Sequence, residues 1–175
     1  MKIRFKQNKE TILKLLETSP NIKKKLKILD KLNGANEKDN IKILLKVLED
    51  TSWSMREKAA HKLAAFGTRV VNRLKTLCER GYWFTRASAC LSLGEIGNLR
   101  ALNAIVKLLL TDENPTVIKE ASQALVNMAR NMPVKFAEKL QEIELEKHQI
   151  LKIFITLETT DTEIYSTIKE IIENE

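Results

Sequence analysis

The side chains that could carry chemistry in this chain are few and scattered. Its two histidines, His61 and His148, lie far apart, and neither sits in the H-x-x-x-H or H-E-x-x-H spacing that sets metal-ligating side chains on one helical face. The two cysteines, Cys78 and Cys90, fall inside helical patterns without metal-type spacing, and read as buried free thiols of a reducing compartment. There is no G-x-G-x-x-G, G-x-x-x-x-G-K-[ST] or G-x-S-x-G. Gly94-Glu95-Ile96-Gly97 is a helix end and not a phosphate loop. The acids Asp112-Glu113 and Asp161 to Glu163 stand at helix starts, where negative charge complements the helix dipole. The expectation is a chain with no catalytic, metal or cofactor residues, working through its surface rather than as an enzyme.

The elements that must present that surface repeat. Met55 to Gly67 (MREKAAHKLAAFG), Thr85 to Gly97 (TRASACLSLGEIG) and Val117 to Ala129 (VIKEASQALVNMA) share one grammar at a period of about thirty residues. A hairpin of that size cannot bury both its apolar stripes alone, so the units must stack into a continuous core. Ala59, Ala89 and Ala121 align as positions of close helix approach, and Leu63, Leu93 and Leu125 as core anchors. Gly at 5 and Pro at 3 of 175 residues, with 43% apolar and 30% charged, fit a helical globular chain. No apolar run is long enough to span a membrane. The basic MKIRFKQNKE start lacks the apolar core of a secretory signal, so a cytoplasmic location is expected.

Helical spacing gives approximate hairpins over 6–34, 38–67, 68–97, 98–131 and 133–158, with a capping helix in 161–175 and no strand. The first helix is read from Lys6 to Glu17. Asn33-Gly34 is read as the stop of the first pair and Asp39 as the N-cap of the next. The whole is expected to be one all-α domain, an α-solenoid.

Charge is uneven. Residues 1–38 carry eleven Lys/Arg against four acids, residues 39–132 fourteen against nine, and residues 133–175 five against ten. A net charge of +7 thus divides into a basic body and an acidic end. That asymmetry suits an anionic partner, a complementary protein, or head-to-tail association of copies.

The pattern R-x-x-A-x-x-x-L-G-x-I-G at Arg86 to Gly97 resembles the second helix of a HEAT repeat, closest to the short bacterial and archaeal units also seen in phycobilisome lyases. The resemblance covers residues 39–131 well and the ends loosely. It implies a right-handed superhelix of about five stacked hairpins plus a cap, and a ladder made by an Asp in the intra-repeat turn and an Arg six residues on. Asp50 and Arg56 fit that ladder. In the next unit Arg86 fits, but Arg80 stands where the Asp belongs; in the one after, Asp112 fits, but Ile118 replaces the Arg. Asp50 is expected to pair with Arg56 or Arg86, and Asp112 to cap its own turn.

In such solenoids second helices line the concave face. Facing the aligned apolar positions inward leaves Glu57, His61 and Ala65, then Ala87, Leu91 and Glu95, then Lys119, Gln123, Asn127 and Arg130, as an outer strip. Leu91 is either an anchor for a partner helix or packed against a neighbouring turn. Trp53 and Tyr82-Trp83-Phe84 open successive second helices, as an exposed binding edge or as staples between turns. The expected function is a non-enzymatic scaffold presenting a concave surface to another protein. The alternative is nucleic-acid binding through Arg80, Trp83 and Arg86, because Trp83 to Arg86 is similar to the Trp-x-x-Arg of HEAT-like DNA-alkylation-repair proteins.

Overall fold

The computed structural model describes residues 9–32 and 36–174, and in them the chain is all helix and connecting turn. The helices are α1 Lys9–Thr18, α2 Ile22–Asp30, α3 Glu37–Val47, α4 Trp53–Ala64, α5 Val71–Arg80, α6 Trp83–Ile96, α7 Leu102–Thr111, α8 Pro115–Asn131, α9 Pro133–Gln141, α10 Lys147–Thr160 and α11 Thr162–Glu173. The Lys6 start of the first helix and the Asn33-Gly34 stop lie outside the described residues.

Four antiparallel-type pairs, α1/α2, α3/α4, α5/α6 and α7/α8, each pack within themselves, and their second helices form an unbroken row α2–α4–α6–α8. The first helices touch more sparingly, α1 on α3 and α5 on α7. The row with the closer spacing is the inner side of a curved stack, so α4, α6 and α8 line its concave face. Residue size sets this asymmetry. Ala59, Ala89 and Ala121 are fully buried, as are Leu63, Leu93 and Leu125. At Gly94 a Cβ would come 2.7 Å from the Cα of Ala124, so α6 and α8 meet almost backbone to backbone. The Ser92 hydroxyl donates to the carbonyl of Ala60 at 2.6 Å, tying α6 to α4 without a bulky side chain.

Local signals place the turns. The Asn114 carboxamide oxygen accepts from the backbone N–H of Thr116 and Val117, with Pro115 in the first helical turn. Gly97 ends α6 at φ +63°, the left-handed cap that glycine adopts without Cβ strain. Asp39 does not cap α3. That helix already begins at Glu37, and the Asp39 carboxylate accepts instead from the Asn36 side chain at 2.6 Å. The helices expected from Thr68 and Leu99 begin at Val71 and Leu102, each preceded by a short 3-10 turn.

The far end departs from the repeat. α9 and α10 do not pack extensively on each other; α11 packs on α8, α9 and α10 instead. A three-helix cap therefore closes the stack where a fifth hairpin was expected. Its apolar contacts run through the fully buried Phe136, Ile153, Leu157 and Ile168.

Candidate interaction surface

Two surfaces gather the polar and aromatic residues: the inner face of α4, α6 and α8, and the edge formed by the turns that open these helices.

On the inner face, His61 of α4 and Glu95 of α6 meet side chain to side chain, joining successive units. Gln123 donates to Asn127 at 3.1 Å along α8, and Lys119 is exposed one turn earlier. Arg130, at the end of α8, pairs with Asp161, which also caps α11 through the Ile164 N–H. Two expected members of this strip are not exposed. Ala87 is fully buried and Leu91 is half-buried against the core, because α6 is wedged between α4 and α8 and keeps only a narrow exposed arc. Leu91 is thus packing rather than an open anchor.

Sequence reasoning gave little weight to Glu57 and none to Glu120. Neither makes an ion pair or hydrogen bond among the described residues, and the two carboxylates sense each other's charge. Burial raises the Glu120 carboxyl above its usual range; Glu57 pushes it further, and Lys119 opposes. The only sequence signal was their placement on the partly exposed arcs of α4 and α8.

The turn edge holds the ladder, in a register that differs from the expected one. The Asp50 carboxylate pairs with Lys25 of the previous unit at 3.0 Å, while its other oxygen takes the Ser52 N–H at 2.8 Å. Arg56 reaches only backbone, donating to the Asp50 and Thr51 carbonyls at 2.7 and 2.9 Å. Arg86 turns forward, away from Asp50, and clamps both oxygens of Asp112 at 2.6 and 2.9 Å. Asp112 also accepts the Asn114 N–H at 3.0 Å, so it caps its own turn and serves as a rung. The rule is that a cation early in one second helix holds the acid of the next turn, since a neighbouring turn lies nearer than its own. Burial alone would raise the Asp112 carboxyl, but the Arg86 hydrogen bond, the Asn114 and Glu113 N–H groups and the Arg86 charge hold it below its usual range. Lys25 could have been found from the interval: Lys25 to Asp50 nearly equals Arg86 to Asp112.

Around these rungs Tyr82, Trp83 and Trp53 are 71%, 45% and 40% exposed. Phe84, half-buried, stacks on Tyr82 with ring centres 5.4 Å apart and meets Trp83 edge-on at 5.6 Å. The aromatic run is both staple, through Phe84, and exposed edge. Arg80 is exposed, whereas the Arg86 fork is occupied by Asp112 and is not open to a phosphate. A cleft of about 620 Å³ beside Asp112, lined by Glu79, Arg86, Lys107, Thr111 and Glu113 among others, is mixed in charge. Among the described residues no group of His, Cys, Asp and Glu is placed to hold a metal ion, and no helix is long and apolar enough to cross a membrane. Cys78 and Cys90 are free and buried, hydrogen-bonded to each other; that contact and burial push the Cys90 thiol well up.

Residues 10–89 match the family model for HEAT repeats. The chain carries HEAT repeats. No curated protein matches it. Among solved structures, this HEAT-repeat chain is similar to an engineered protein from the Northeast Structural Genomics Consortium, at 24% identity and a TM-score of 0.46, over 95% of this chain and 78% of that one. It is also similar to a designed armadillo repeat protein in complex with the peptide (KR)4, at 19% identity and a TM-score of 0.40, over 94% and 88%.

Proposed function

We propose that the chain is a non-enzymatic scaffold whose inner face, made by α4, α6 and α8, binds another protein. The observation that carries this reading is Glu120. A carboxylate that is partly desolvated, unpaired and facing a second unpaired carboxylate lowers stability. Nothing within the fold requires it, since a neutral side chain of similar size would serve the packing. A surface that keeps such a group has a use for it outside the chain. The flanking His61, Glu95, Lys119, Gln123, Asn127 and Arg130 are mostly exposed and chemically mixed, as a protein surface needs and a phosphate track does not.

The test is affinity capture from nuclease-treated lysate with the wild-type chain and with a Glu57→Lys/Glu120→Lys variant matched for thermal stability. The expected result is a protein retained by the wild type and lost by the variant. Retention of the same proteins by both would overturn the assignment of the inner face.

A further inference from the structure

One rung of the ladder lacks its acid. Arg86 works in two halves: Nη1 donates to the Gly81 carbonyl of its own turn at 3.0 Å, and the Nε/Nη2 edge grips Asp112 of the next turn. Arg56, one unit earlier, repeats the first half on the carbonyls of Asp50 and Thr51. The second half has no counterpart. Asp112 stands three positions before Pro115, where α8 begins; three positions before Trp83, where α6 begins, stands Arg80.

Arg56 is nevertheless 5% exposed, and its Nε is buried without a hydrogen-bond partner. Its guanidinium carbon lies 5.0 Å from the centre of the Phe84 ring and 5.6 Å from that of Trp53. Aromatic faces attract the charge but do not accept the in-plane N–H groups that a carboxylate would take. Burial accordingly pulls the guanidinium below its usual value, with Asp50 in partial opposition. A buried charged donor left without an acceptor is costly, and it is the group for which a fork of this geometry is built.

We propose that this rung is completed in trans: the Nε/Nη2 edge of Arg56 takes a carboxylate from an acidic segment of a partner protein. Arg80 supplies the second positive charge that selects an acidic segment. The exposed rings of Trp53, Tyr82 and Trp83 cover its apolar parts, and Phe84, half-buried over the guanidinium, is the side chain that gives way. A carboxylate is favoured over a phosphate because the same fork in the next unit already holds one, flat and two-pronged. The site lies on the turn edge and does not depend on the reading of the inner face.

The experiment is titration of the intact chain with a short oligoglutamate peptide at about 50 and 200 mM salt, followed through the Arg56 Nε–H resonance and tryptophan fluorescence. Loss of the resonance in Arg56→Lys identifies it. A saturable shift of that resonance is expected. Arg80→Asp, which places an acid in the chain's own ladder, should weaken binding about tenfold or more and raise Tm. The rise in Tm keeps lost binding distinct from lost folding. Arg73→Asp makes the same charge change on the exposed side of α5 and should bind like the wild type. The proposal is overturned if the Arg56 resonance stays still, if Arg80→Asp binds as the wild type does, or if single-stranded oligothymidylate moves the resonance in preference to the peptide.

Discussion

Replacing Gly94 by alanine sets two known effects of opposite sign against each other. Glycine inside a helix costs about 1 kcal/mol relative to alanine, so propensity alone would make Gly94→Ala stabilising by that amount. Yet the new methyl would sit 2.7 Å from the Cα and 2.9 Å from the Cβ of Ala124, both backbone-anchored, where carbon atoms are comfortable at about 3.5–4.0 Å. Close to 1 Å of separation between α6 and α8 is then needed, at an overpacking cost of about 1–3 kcal/mol. Packing wins, and the net expectation is a loss of about 1 kcal/mol, seen as a Tm lower by about 2–4 °C for a chain of this size. Gly94→Val should lose more. Urea and thermal unfolding of Gly94→Ala, Ala124→Gly and the double variant give the coupling; the second change should return much of the loss, a coupling of about 0.5–3 kcal/mol. A Gly94→Ala protein more stable than wild type would refute the claim that α6 and α8 meet backbone to backbone.

Other expectations can be checked with the same assays. Asp112 has a folded pKa below its unfolded value, so its contribution is complete above the unfolded pKa and is lost as pH falls through the folded one. Asp112→Asn should remove that part of the acid-side loss of stability. Glu120 has the opposite sign: its raised folded pKa makes it destabilising when ionised. Glu120→Gln should therefore raise Tm at neutral pH, with the advantage fading as pH falls into the carboxylate range. Asn114→Ala removes the oxygen that caps α8 and should cost about 1 kcal/mol in urea unfolding.

The helices and their stacking were legible because they rest on periodicity, and the aligned Ala and Leu positions report one environment repeated three times. Asn114-Pro115 and Gly97 were equally plain, since a cap and a left-handed turn require those residue types. The ladder was legible in composition but not in register: Asp50 and Arg56 sit six apart in sequence, yet the nearer partner for an acid is the cation of the previous unit, Lys25. Leu91 and Ala87 were misplaced for a related reason. The exposed arc of a helix depends on how closely both neighbours approach, and Gly94 against Ala124 narrows that arc on α6. Glu120 was invisible because its interest lies in desolvation and in Glu57, a residue 63 positions earlier in the chain. The last hairpin failed where the repeat grammar thins, since little in residues 133–158 distinguishes a stacked pair from two helices held apart by α11.

Amide hydrogen exchange of the chain alone and with a captured partner tests the central claim most directly. Added protection confined to α4, α6 and α8 is the predicted result. Protection confined to α3, α5 and α7, on the outer side of the stack, would contradict it.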